Sequence, residues 1–128
     1  MARLLLIVDD DAASRNAMDV FFRRAGFRTR LASDGLEALG QAAAETPDLI
    51  ILDLAMPRLD GLTFLRTLRG VPSLAAVPVL VTSSRSDVEA ARGAAALGVV
   101  AYLVKTGYTL KDLLVTVRRH LGDEAARV

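Results

Sequence analysis

Residues 4–11 read Leu4-Leu5-Leu6-Ile7-Val8-Asp9-Asp10-Asp11, five apolar residues without a break followed by three aspartates. An unbroken apolar run of this length fits a strand covered on both faces, as in a parallel sheet with helices on either side. It is far shorter than the ~18 residues needed to cross a bilayer. It also leads straight into acids, so it does not read as a secretory signal. Working outward, Asp11 stands where a helix cap belongs, and Ala13, Ala17, Val20 and Phe21 repeat at helical spacing until Gly26. Phe27 to Leu31 then alternates as a shorter edge strand.

The same strand-then-helix unit recurs along the chain. Asp34 opens a second helix with Glu37 three residues on, a capping-box variant, and Pro47 closes that segment. Leu49-Ile50-Ile51-Leu52 is the third strand, and a Met56-Pro57 turn and Gly61 lead to a helix carrying Leu62, Leu65 and Leu68. Val77 to Val81 is the predicted fourth strand, and Ser86 with Glu89 form a capping box for a helix ending near Gly98. Val99 to Val104 is the fifth strand. Thr109 caps a last helix whose Leu110, Leu113, Leu114, Val117 and Leu121 share a face. Five such units predict an α/β fold: a flavodoxin-like doubly wound five-stranded parallel sheet, order 2-1-3-4-5, with five helices. No linker or repeat interrupts it, so residues 1–122 read as one domain and 123–128 as a C-terminal tail.

Composition narrows the chemistry. A chain of 128 residues, 52% hydrophobic, is long enough to bury a core and too apolar for disorder. It has no cysteine and one histidine, His120, which excludes disulfides, thiolate metal sites, histidine clusters for zinc and a histidine-based triad. A formal charge of +1 gives no electrostatic case for binding nucleic acid or a membrane surface. With no targeting segment in view, the expected home is cytoplasmic. Lys105 and Lys111 are the only lysines among 16 basic residues, so each bears inspection.

In the predicted order the chain reverses direction between strands one and three, and ligands bind beyond the carboxyl ends of strands at such a point. Asp9 and Asp10 end the first strand and Asp53 follows the third. Neighbouring strands lie about 4.8 Å apart, close enough for these carboxylates to converge. Crowded carboxylates repel unless a cation neutralises them, and an oxygen-only donor set favours a hard ion, with Mg2+ the best match. Asp11 is better read as the helix cap. Thr82-Ser83 after the fourth strand and Lys105 after the fifth bring hydroxyls and an ammonium to the same rim. Taken singly, a threonine or lysine at a strand end is an ordinary solvated residue. Together with the acids they form a set that could accept a phosphoryl group on Asp53: the hydroxyl to bond a phosphate oxygen, the lysine as a point charge, and transfer itself as positioning plus neutralisation.

These residues resemble the receiver domains of bacterial response regulators, over Leu4 to about Leu121. The carriers are Val8-Asp9-Asp10, the segment from Asp53 through Met56-Pro57 to Gly61, Thr82-Ser83, Lys105, and the helix start Ser33-Asp34-Gly35-Leu36-Glu37-Ala38-Leu39. The resemblance implies that Asp53 accepts a phosphoryl group from the phosphohistidine of a sensor histidine kinase or phosphotransfer protein. It implies that Asp10, Asp53 and the backbone carbonyl of Ala55 ligate Mg2+, with Asp9 supporting the ion through water. Thr82 would follow the phosphate inward while Tyr102 changes burial in step, re-forming the surface around the fourth helix, fifth strand and last helix. That surface would dock a downstream target or pair two copies in a homodimer. As a phosphoacceptor the domain is not expected to be an enzyme beyond releasing its own phosphate.

Three departures from the family stand out. Thr106-Gly107 follow Lys105 where the family has proline, often after a cis bond, and a cis bond without proline costs about 2.5–4 kcal/mol. The loop to the last helix is one residue longer. Ala55 and Ser84 occupy positions that in the family tune hydrolysis, and Ala55 has no side chain to orient a water, which predicts slow to moderate self-dephosphorylation. The missing proline is the sole support for a rival reading, a degenerate receiver acting as a phosphorylation-independent interaction module. A small carboxylate-dependent phosphohydrolase is disfavoured because Asp53-Leu54-Ala55 lacks a second acid two residues on, and no glycine-rich phosphate loop follows the first strand.

Overall fold

The computed structural model describes residues 2–54, 61–83 and 88–122, with the backbone alone over 88–90. Five strands, β1 (Leu4–Val8), β2 (Arg28–Ala32), β3 (Leu49–Asp53), β4 (Val79–Ser83) and β5 (Ala101–Val104), alternate with α1 (Ala12–Arg24), α2 (Gly35–Ala44), α3 (Gly61–Arg69), α4 (Val88–Ala96) and α5 (Leu110–Leu121). All pairings are parallel and the order is β2-β1-β3-β4-β5, as the alternating pattern predicts.

The unbroken apolar runs of β1, β3 and β4 are buried along their whole length because each feeds two cores. Leu6, Val8, Ile50, Leu52, Val79 and Val81 pack on one face with Phe64, Leu65 and Leu68 of α3 and Ala38 and Ala42 of α2. Leu5, Ile7, Leu49, Ile51 and Leu80 pack on the other with Met18 and Phe22 of α1 and Leu113 and Val117 of α5. Successive residues of a strand point to opposite faces, so these two sets also say where each strand aims the residues that follow.

Local rules account for the helix ends. Asp11 caps α1 by accepting from the Ser14 N–H at 3.0 Å. Asp34 accepts from the Glu37 N–H at 2.8 Å, but the Glu37 carboxylate reaches back to the Ser33 N–H, one residue before the cap. At α5, Thr109 and Asp112 complete a reciprocal capping box, and Gly122 ends the helix in the left-handed region at φ 65°. Asp112 was not anticipated from the sequence.

Strand bounds depart from the expected ones: β2 lies one residue later than Phe27–Leu31, β5 starts two residues after Val99, and β4 shifts as a whole. β4 spans Val79–Ser83 rather than Val77–Val81, since Pro78 has no N–H to give the ladder and contributes only its carbonyl, to the Ile50 N–H at 3.0 Å. Thr82 and Ser83 therefore lie within the strand instead of beyond it, paired with Asp53 and Val104. The Met56-Pro57 turn, Ser84, and the Ser86–Glu89 capping box lie outside the described residues or side chains.

The edges and the lower end of the sheet are held by arginines. On β2, Arg28 makes a two-pronged ion pair with Glu45 at 2.7 and 2.9 Å, and Arg30 donates to Gln41 at 2.6 Å. Glu45 is held below the usual carboxylate range, chiefly by the Arg28 hydrogen bond. Arg69, at the end of α3, donates to the carbonyls of Leu97 at 2.8 Å and Val77 at 2.7 Å, tying α3 to the turn after α4.

Gly61 is where the fold presses hardest on the strand that carries Asp53. A Cβ there would sit 2.6 Å from both the Cα and the carbonyl oxygen of Leu54, against backbone that cannot yield cheaply. Substituting Gly61→Ala is expected to lower stability by about 1–3 kcal/mol, the usual range for overpacking. Urea unfolding should show this as a lower midpoint with an unchanged slope.

Candidate functional site

The strand alternation predicts which groups meet. Asp53 follows Ile51 by two residues, Thr82 follows Leu80 by two, and Asp9 follows Ile7 by two, so all three continue the row that faces α1 and α5. Side-chain bonds agree for the charged members. The Lys105 ammonium lies 3.3 Å from Asp53 Oδ2 and 3.4 Å from Asp9 Oδ2, bridging the ends of β3 and β1 from beyond β5. Asp9, Asp10 and Asp53 can each bring a carboxylate oxygen within 4.8 Å of the others. Asp9 and Asp53 are buried while Asp10 is exposed. The acid group and lysine expected from the sequence are thus brought together.

Lys105 reaches the acids without a proline behind it. The peptide bonds of the described residues are all trans, and Lys105–Gly107 form a single 3-10 turn before Thr109. Desolvation works against the ammonium and is the largest single influence on it. The attractions of Asp53 and Asp9 and their hydrogen bonds together outweigh it, leaving the Lys105 pKa above the ordinary lysine value. The lysine therefore stays charged at neutral pH.

Asp9 is bonded through both of its carboxylate oxygens. Its Oδ1 accepts from the Asp11 N–H at 2.9 Å and its Oδ2 from the Ser14 hydroxyl at 2.7 Å. Arg15 donates to the Asp9 carbonyl at 2.8 Å. The first turn of α1 therefore locks the end of β1 from three positions. Neither Ser14 nor Arg15 was singled out from the sequence. The one signal available was their place in the first turn after a capping aspartate.

Thr82 and Tyr102, expected to act as a coupled pair, lie on opposite faces of the sheet. Thr82 shares the α1–α5 face with Asp53, whereas Tyr102 pairs with Val81 in register and packs with the cluster on the α2–α3–α4 face. Ser83 follows Val81 by two residues and so takes Tyr102's face. Thr82 instead lies near Tyr108, a half-buried phenol whose pKa burial pushes up against the influence of the Thr82 hydroxyl. The sequence offered both hydroxyls, but choosing between them requires the register of β4. Ala55, expected to supply a carbonyl ligand, lies outside the described residues.

The donor set suits a hard divalent cation: three carboxylates, no nitrogen or sulfur ligand, and the Lys105 charge that already offsets two of the acids. If Asp10 and Asp53 hold Mg2+, the ion should stabilise the folded chain by ligand linkage, about 2.7 kcal/mol at a hundredfold excess over its dissociation constant. Thermal unfolding with and without MgCl2 measures this. Asp53→Asn and Asp10→Asn are expected to lose most of the increment.

Comparison with known proteins points one way. The family model of the response regulator receiver domain matches residues 5–118. The response regulator MprA of Mycobacterium tuberculosis is 38% identical over 118 residues, covering 92% of this chain and 50% of that protein. The chain spans about half the length of the curated relatives it matches. Among solved structures, the chemotaxis protein CheY4 of Vibrio cholerae superposes with a TM-score of 0.87 at 29% identity, covering 93% of this chain and 98% of that one. A response regulator receiver protein from Pseudomonas putida gives 0.85 at 33% identity, with the same coverage.

Proposed function

Since the chain belongs to the receiver-domain family of response regulators in two-component signalling, we propose that Asp53 is its phosphoacceptor. The observation that carries the reading is the Lys105 ammonium set between Asp53 and Asp9, at the end of the sheet where the three carboxylates converge. Mg2+ would be held by Asp10, Asp53 and the Ala55 carbonyl, with Asp9 reached through water. Bound there, the ion would supply charge neutralisation.

In the transfer, an Asp53 carboxylate oxygen forms a bond to phosphorus as the bond to the leaving group breaks in line. With a histidine kinase or phosphotransfer protein as donor, that leaving group is an imidazole nitrogen. Lys105 is already charged and within reach of the carboxylate, so it can hold an oxygen of the arriving phosphoryl group without a proton transfer. Thr82, paired with Asp53 in register and on its face, would supply the hydroxyl for a phosphoryl oxygen, and Tyr102 lies on the opposite face beside Ser83, so its response would pass through β4. The coupling would be read on the surface of α4, β5 and α5, where a downstream target or a second copy would dock.

The phosphorylation-independent alternative rested on the missing proline, and Lys105 meets Asp53 through the 3-10 turn without one. Incubating the intact chain with MgCl2 and a small acyl phosphate is expected to add the mass of one phosphoryl group. The adduct should be absent from Asp53→Ala and from reactions with chelator. An unmodified wild-type chain would refute the assignment. In a chase, the adduct should persist for minutes or longer, because Ala55 has no side chain to orient an attacking water; loss within seconds would contradict that reading.

A further inference from the structure

We propose that Ser14 is a positioning residue for the divalent cation: its hydroxyl ties up Asp9 Oδ2 and keeps that oxygen out of direct coordination. The inference rests on the magnesium reading of the acidic group and adds a determinant of its affinity.

Asp9 is fully buried, and its two oxygens are unequally occupied. Among the described residues, Oδ2 receives both the Ser14 hydroxyl at 2.7 Å and the Lys105 ammonium at 3.4 Å, whereas Oδ1 receives the Asp11 N–H at 2.9 Å. A carboxylate oxygen offers about two lone-pair sites, so Oδ2 has none left for a metal while Oδ1 keeps one for a bridging water. The arrangement is enforced locally. Asp11 caps α1 through the Ser14 N–H, which places Ser14 at the third helical position with its hydroxyl over Asp9. Arg15, one residue on, grips the Asp9 carbonyl and prevents the acid from backing away. Of the other two acids, Asp10 is exposed and Asp53 accepts from Lys105 through Oδ2 at 3.3 Å.

A cation drawing directly on Asp9 Oδ2 would have to displace a short, charge-assisted hydrogen bond. Removing the hydroxyl takes away that competitor and leaves Asp9 more electron-rich. A purely structural Ser14 would give the opposite sign, because a loosened pocket binds its ion less well.

Calorimetric titration of the full chain with MgCl2 separates these cases. Ser14→Ala is expected to tighten the dissociation constant about threefold to tenfold, the effect of one charge-assisted hydrogen bond no longer competing. Ser14→Thr keeps the hydroxyl and should remain within about twofold of wild type. Should Ser14→Ala fail to fold, Ser14→Cys, with its weakly donating thiol, carries the same expectation of tighter binding. Unchanged or weaker Mg2+ binding in the folded hydroxyl-less variant, with wild type binding normally, overturns the role of Ser14 alone. A wild-type chain that binds no Mg2+ overturns the magnesium reading beneath it.

Discussion

Three carboxylates whose oxygens come within 4.8 Å of one another repel, and this chain must spend interactions elsewhere to hold them there. Two of the three are buried, where unpaired charge is most costly. The answer is distributed over separate elements. α1 brings a helix-start N–H and a hydroxyl to Asp9, and β5 delivers Lys105 to Asp9 and Asp53 together. The parallel sheet has to be in register for these groups to meet, since the contributing residues lie up to 96 positions apart in sequence. Site and fold thus impose the same demand: strands β1, β3 and β5 must end level.

That shared demand explains why so much was legible in the sequence. Buried parallel strands have to be apolar without interruption, so Leu4–Val8 and Leu49–Leu52 stand out, and the acids that follow them mark where they end. Caps at Asp11, Asp34 and Thr109 are short-range rules that need no tertiary information. β4 was harder. Val77 is buried like a strand residue yet sits in the turn before Pro78, so the apolar run begins before the ladder does. A boundary two residues early left Thr82 and Ser83 outside the strand, where facing has no meaning. Within it, facing decides that they have different neighbours.

The second group of hidden features depends on distance rather than pattern. The Ser14 contact with Asp9 is signalled only by its place in the turn after a capping aspartate, and nothing in the local sequence marks Tyr108 as a neighbour of Thr82. The departure behind Lys105 is local, by contrast, and leaves the lysine's contacts in place. Thr106-Gly107 stand where a proline was expected, yet Lys105 keeps its acids, with trans peptide bonds and a 3-10 turn over Lys105–Gly107.

The arginines on β2 bear on how such a sheet avoids sticking to its own kind. An open parallel sheet has two free margins, each a template for another chain's backbone. On the β2 margin, Arg28 and Arg30 are already committed to Glu45 and Gln41, so an incoming strand would have to strip these contacts and bury guanidinium groups against its own backbone. The β5 margin, Ala101-Tyr102-Leu103-Val104, carries no charge and is only partly covered. The two margins of the sheet therefore differ: paired arginines guard the β2 side against a stray strand, and the β5 side nearest Lys105 carries no such charge in its strand.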